Sequence, residues 1–204
     1  MRNIFNKMIQ LHKAGFRQEH EATCGPASII LATLGLGLEQ KHESEWISTR
    51  FSRFMPVHQF LERGMALHEL HFISELIYEN RLDIRTQRAY EEHFPLFLND
   101  VKKSVQEKKS VIIVNYRQDD FVSNVVSCSQ GNPHYSPIVG WDAKEENVLL
   151  CDIDSSIQDL YWVNIQTLYH SMSQYNPVFN LPRGWLVLKK RNESGVTNNS
   201  ESIP

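Results

Sequence analysis

Three cysteines in 204 residues, Cys24, Cys128 and Cys151, are too few and too scattered for a disulfide framework, and no CxxC pair marks zinc or a redox couple. A reducing compartment follows. No apolar run approaches the roughly 20 residues that span a bilayer, and the polar N-terminus lacks the core of a secretion signal. The expectation is a cytoplasmic chain with no membrane partner, on which the glycosylation sequons at Asn192 and Asn198 carry no weight. Charge of one sign is lacking as well: 21 Lys and Arg stand against 24 Asp and Glu, the net charge is -3, and the basic residues are dispersed. That excludes the basic stripe by which nucleic acid is held. Internal repeats are absent. From Lys189 the chain turns charged and then rich in Asn and Ser, which predicts a single domain over 1–190 and a disordered tail over 191–204. The 41% hydrophobic content suffices for one buried core.

What is present is organised around Ala22-Thr23-Cys24-Gly25-Pro26-Ala27-Ser28 and the apolar run Ile29-Ile30-Leu31-Ala32-Thr33-Leu34 that follows. Thr23 is a suitable N-cap, Pro26 fits a first helical turn, and Gly35 and Gly37 supply a stop. Cys24 therefore opens a buried helix. Unpaired N–H groups and the positive end of the helix dipole favour a thiolate at such a position, as a nucleophile requires. The bland alternative is a small core residue. Gln18, six positions earlier, is near enough to place its amide over the same helix terminus and donate to an oxyanion.

Residues 1–20 have the spacing of a short amphipathic helix or a packing arm, 65–77 and 94–108 read as amphipathic helices, and 164–172 as a short one. His68 and His71 lie three apart on the second of these, a weak pattern for a metal, and no metal site is expected. Leu82-Asp83-Ile84-Arg85-Thr86 alternates like a strand, and Arg183 to Leu188 reads as the last one. Ser110-Val111-Ile112-Ile113-Val114-Asn115-Tyr116 is apolar on both faces, so it belongs at the centre of a sheet. Residues 117–133 are long enough for a functional loop, and Cys128 falls within it.

Two further strands, His134 to Asp142 and Val148 to Ile153, flank the polar turn at 143–147. Paired as an antiparallel hairpin, they bring His134, a general base, to Asp152, which orients it, while Asp154 ranks second and Cys151 faces the opposite side. Cysteine, histidine, aspartate and glutamine, drawn from distant elements, make the set a thiol acyl-transfer enzyme needs.

These residues also carry a family likeness. Gln18, Cys24-Gly25, Val114-Asn115-Tyr116, His134-Tyr135-Ser136-Pro137-Ile138, Leu150-Cys151-Asp152, Tyr161-Trp162-Val163 and Arg183-Gly184-Trp185 resemble the phytochelatin synthase catalytic domain over about residues 10–190. The resemblance implies an α+β, papain-like cysteine peptidase fold, a helical part facing an antiparallel sheet across a cleft. It implies that Cys24 attacks the Cys–Gly bond of glutathione, releases glycine and holds γ-Glu-Cys as a thioester, which water or a second glutathione then takes up. By position Cys24 is the nucleophile, His134 the base, Asp152 its orienter and Gln18 the oxyanion donor. Arg183, Asn115 and Tyr116 fall to substrate binding, Arg183 for a carboxylate that its planar fork suits. No cofactor is implied; a divalent metal would enter only as a thiolate complex with the substrate. A homodimer is compatible with the resemblance.

The chain departs from the family after Asp152, where an arginine and a basic, Pro-containing stretch give way to Ile153-Asp154-Ser155-Ser156-Ile157-Gln158-Asp159. The form Cys24-Gly25-Pro26-Ala27-Ser28 and the insertion before His134 lean toward bacterial cysteine peptidases that trim leader peptides. A papain-like peptidase or acyltransferase on another peptide therefore stays open, as does a binding module without catalysis.

Overall fold

The computed structural model describes residues 3–79, 81–120, 133–154, 156 and 160–191. Four helices come first: α1 (Ile4–Lys13), α2 (Cys24–Gly35), α3 (Val57–Arg63) and α4 (Leu67–Tyr78). Then β1 (Leu82–Arg88), α5 (Phe94–Glu107), β2 (Ser110–Arg117), β3 (Pro133–Asp142) and β4 (Asn147–Leu150) lead to β5 (Tyr161–Asn164) and α6 (Ile165–Ser173). A small hairpin, β6 (Tyr175–Asn176) and β7 (Leu181–Pro182), precedes the final strand β8 (Gly184–Lys190). Six strands form one sheet in the order β1-β8-β2-β3-β4-β5, every neighbouring pair antiparallel, and the fold is α+β.

The doubly apolar pattern of β2 has its expected consequence. Val111 and Ile113 enter one core with Leu186 and Leu188 beneath α1, α2 and α4, while Ile112, Val114 and Tyr116 enter a second with Trp185 beneath α5 and α6. The sheet is thus covered on both faces, with β2 inside it. Helix α2 is buried on all sides save Leu34, as its unbroken apolar run demands. Where α1 crosses it, a Cβ on Gly35 would lie 2.7 Å from Met8 Cγ, so the absent side chain lets α1 settle against α2.

Several elements differ from expectation. Thr23 does not cap α2: its hydroxyl donates to His20 O at 2.6 Å and accepts from His20 N–H at 3.0 Å, closing a short 3-10 turn, Glu21–Thr23, that runs straight into the helix. The hydroxyl is spent one turn early. The strand expected to reach Ile153 leaves the ladder after Leu150, although Cys151 N–H still donates to Pro137 O. Helix α3, β5 and the β6–β7 hairpin carry no strong periodic signal; α3 buries only Phe60.

The β3–β4 register decides the site. Asp142, Trp141 and Gly140 pair with Asn147, Val148 and Leu149, but Leu150 pairs with Ile138, so Val139 is an extra residue on β3. Because side chains alternate with period two, an unbulged hairpin would send Asp152 to the face opposite His134. The bulge returns them to the same face.

Candidate active site

Cys24 sits at the head of α2, 6% exposed, and lies close enough to His134, second residue of β3, to favour the charged form of that imidazole. Its Nε2–H donates to Asp152 Oδ1 at 2.7 Å, which leaves Nδ1 available to the thiol. Asp152 is fully buried, and nearly every acceptor site it has is used. Oδ1 also accepts from Asp154 N–H at 3.0 Å. Oδ2 accepts from Tyr161 OH at 2.7 Å, Tyr116 OH at 3.1 Å and Gln118 Nε2 at 3.3 Å. Its main-chain carbonyl takes a further bond, 2.7 Å long, from Nε2 of the buried His12 on α1. A buried carboxylate is tolerated only when so satisfied, and here the donors also fix its direction.

The electrostatics follow from these contacts. Burial alone would raise the Asp152 carboxyl, but the charge and hydrogen bond of His134, with the Asp154 N–H and Tyr161 OH, hold it well below the usual range. Burial alone would neutralise His134, yet the Asp152 charge and hydrogen bond, then Cys24, raise it well above an ordinary histidine. Burial first, and then the charge of Asp152, push Tyr116 and Tyr161 upward, so both remain neutral donors. Burial likewise pushes the Cys151 thiol up to about 12; that residue faces the α2 side of the sheet as core.

The pair carries a stability signature. The depressed Asp152 contributes stability above its unfolded value and loses it in acid; the raised His134 contributes fully below its unfolded value and loses it as pH rises. Relative to the double variant His134→Gln/Asp152→Asn, the wild-type urea midpoint is therefore expected to be highest between about pH 4 and 6.5 and to decline on both sides. A difference independent of pH would exclude a charged pair.

The other expected site residues are placed differently. Gln18 Nε2 donates to His20 O at 3.1 Å and Glu21 O at 3.2 Å, so both amide hydrogens brace the turn before Cys24 rather than stand ready for an oxyanion. Its main-chain N–H holds Ile153 O at 2.9 Å, tying the arm to the Asp152 segment. Asn115 and Tyr116, expected at the substrate, are buried beneath the site. Asn115 Nδ2 donates to His134 O at 3.1 Å, and Tyr116 OH is occupied by Asp152, Ser136 and Tyr161, so both support the pair. Arg183 is 1% exposed, not a surface arginine, and its Nη1 donates to Gln174 O at 2.9 Å. Asp154 binds Ser156 through its carboxylate and stands aside from His134.

His71 bonds Thr86 Oγ1 and His68 meets Arg88, so the two histidines serve separate partners. Among the described residues no group of three or more His, Cys, Asp or Glu is arranged to hold a metal ion. Cys128 lies outside the described residues. Sequence reasoning missed His12 and Gln118 altogether. Tyr161 could have been found: it stands two residues before buried Val163 on β5 and so shares the face of the sheet that carries Asp152.

Fold and site together define an α+β protein in which a helix-opening cysteine stands beside a strand histidine that is hydrogen-bonded to a buried aspartate. The chain belongs to the phytochelatin synthase family, whose model matches residues 1–185. Among curated proteins it is similar to glutathione gamma-glutamylcysteinyltransferase 3 of Lotus japonicus, 20% identical over 191 residues. It also resembles a glutathione gamma-glutamylcysteinyltransferase of Schizosaccharomyces pombe, 26% identical over 89 residues. The matches cover 91% and 35% of this chain but only 37% and 22% of those relatives. No helix among the described residues is long and apolar enough to cross a membrane.

Proposed function

We propose that the chain is a papain-like thiol enzyme that cleaves the Cys–Gly amide of glutathione and transfers γ-Glu-Cys through a thioester on Cys24. The placement of Cys24 beside a His134 that is bonded to buried Asp152 carries this reading, and the names of the two relatives support the substrate. The Cys24 thiolate attacks the carbonyl of the substrate cysteine while His134 holds the proton. As the tetrahedral adduct collapses, the C–N bond breaks and His134 passes that proton to the departing glycine amine. Water or the amine of a second glutathione, deprotonated by His134, then attacks the thioester and restores the thiol.

Asp152 keeps the imidazole oriented and stabilises its charged form, and Tyr116, Tyr161 and His12 hold Asp152. Gln18 Nε2 becomes an oxyanion donor by exchanging its longer bond, to Glu21 O, for the substrate oxygen. Arg183, buried at the entry to β8, serves a substrate carboxylate. Metal ions enter as a thiolate complex of the substrate, not as a resident cofactor. The free thiols Cys24 and Cys151 suit a reducing cytoplasm.

Asp154, half-exposed beside Asp152, favours a second reading, a cysteine peptidase or acyltransferase on a less anionic peptide. Mass spectrometry of products after incubation with glutathione, with and without a thiophilic divalent metal, separates the cases. Glycine with γ-Glu-Cys alone marks hydrolysis, and a product longer by one γ-Glu-Cys unit marks transfer. A protein that alkylates readily at Cys24 yet leaves glutathione intact sinks the glutathione reading in favour of the second.

A further inference from the structure

On the face of the sheet that carries α2, one rung crosses four strands: Arg88 of β1 pairs with Gly184 of β8, Gly184 with Asn115 of β2, and Asn115 with Tyr135 of β3. Directly paired residues share a face, and Leu82 and Ile84 on β1 confirm which one by entering the core beneath α2 and α4. At the far end of this rung Tyr135 packs 3.4 Å from where a Cβ on Gly25, the residue after Cys24, would stand. Gly184 adds no side chain between the two ends.

The wall beside this rung is the α3–α4 junction. Tyr135 OH donates to Met65 O at 3.1 Å, and Leu70 lies 3.1 Å from the Gly25 Cβ position. Arg88 is steered to the same wall, its Nη1 donating to Pro182 O at 3.0 Å and its Nη2 to His68 Nδ1 at 3.4 Å. An accepting His68 is a neutral one, in keeping with its pKa, which burial and then the nearby arginine charges lower against the pull of Glu69. Neighbouring Arg63 has its counter-ion, Glu69, in a two-pronged pair at 2.8 and 2.7 Å. Arg88 is half-buried, and among the described residues no carboxylate pairs with it.

A partly desolvated guanidinium with two neutral acceptors and no anion is incomplete. Three strand spacings separate the backbones of Arg88 and Tyr135 by about 14 Å. An extended tripeptide spans about 10 Å; measured from its central carbonyl, the one Cys24 attacks, a terminal carboxylate covers part of the gap and the arginine side chain reaches across the rest. We propose that Arg88 anchors a carboxylate of the peptide that acylates Cys24. The proposal rests on the reading of Cys24 as the acyl acceptor for glutathione, whose two carboxylates, on the γ-glutamyl residue and on glycine, are the sources to be told apart.

The test compares wild type, Arg88→Met and Arg88→Lys on three substrates: glutathione, its glycine ethyl ester, and 4-aminobutanoyl-Cys-Gly, which lacks the γ-glutamyl carboxylate. Arg88→Met should raise KM for glutathione about 10- to 100-fold, the range for a hydrogen-bonded charge contact, with a smaller change in kcat. Arg88→Lys should recover part of the loss, which a merely structural defect would not allow. In wild type one carboxylate deletion should impose a similar penalty, and in Arg88→Met that same deletion should cost nothing further, which names the carboxylate. Full penalties for both deletions in Arg88→Met, in a variant that melts like wild type, would overturn the assignment while leaving Cys24 acylation standing. A wild type that forms no thioester with any of the three would overturn the glutathione reading, and Arg88's role with it.

Discussion

Thioester formation at Cys24, followed by intact-protein mass spectrometry and by glycine release, should be absent in Cys24→Ala and fall about 10²- to 10⁴-fold in His134→Ala and in Asp152→Asn. Three different losses underlie the common outcome. Cys24→Ala removes the atom that forms the bond. His134→Ala leaves the thiol without a proton carrier, and the leaving amine without a donor. Asp152→Asn keeps the size of the side chain, but an amide in place of the carboxylate removes the charge that raises His134 and turns one of the two acceptor oxygens into a donor facing other donors. Asp152→Asn should also move the alkaline limb of the pH profile for kcat/KM to lower pH, because the imidazolium loses the group that keeps it protonated. A limb that stays in place would mean that Asp152 acts on stability alone, and a His134→Ala enzyme within tenfold of wild type would remove His134 from the mechanism.

The second large effect is on the fold. Gly184→Ala would place a Cβ 2.0 Å from Gln87 O and 3.0 Å from Arg88 Cα, atoms of the β1 main chain that have no rotamer through which to yield. Strands β1 and β8 must then separate where Arg88 pairs with Gly184, and Ala89 N–H stands to lose its bond to Arg183 O. A loss of about 3 kcal/mol is expected, lowering the melting temperature of a chain this size by about 6–12 °C. Val187→Ala, a cavity variant further along β8 in the second core, provides the comparison: its melting should fall with little change in KM, whereas Gly184→Ala should raise KM as well by displacing Arg88. Melting within 2 °C of wild type, a margin below the expected range, would show that the two strands can part without cost.

The elements best read from sequence are those whose local chemistry and burial agree. Helix α2 was legible because Pro26, the apolar run and Gly37 all point to the same segment, and Gly37 does take a positive φ, +78°. The doubly apolar β2 and the amphipathic α5 were legible for the same reason. Helix α3 was not, since a seven-residue segment that buries Phe60 alone has no period to detect. Thr23 misled because a hydroxyl that can cap a helix can equally close the turn before it, and only the path of His20 decides between them. Asn115 and Tyr116 misled in another way: their place in a motif marks proximity to the site, but strand alternation and the packing above decide whether a side chain meets substrate or supports a neighbour.

What the sequence determined by itself is the inventory and its order: a cysteine opening a buried helix, a histidine early in one strand, an aspartate just beyond the next, and a chain without disulfide or basic-stripe alternatives. These follow from local propensity and composition, which act over a few residues. Tertiary structure alone decided that they meet. The extra residue at Val139 shifts the face of β3 by one position and so brings Asp152 to His134, and His12, from 140 positions away, fixes the carbonyl of Asp152. Register and long-range contact are set by the packing of both sheet faces at once, and no local pattern encodes a choice that only the assembled core can make.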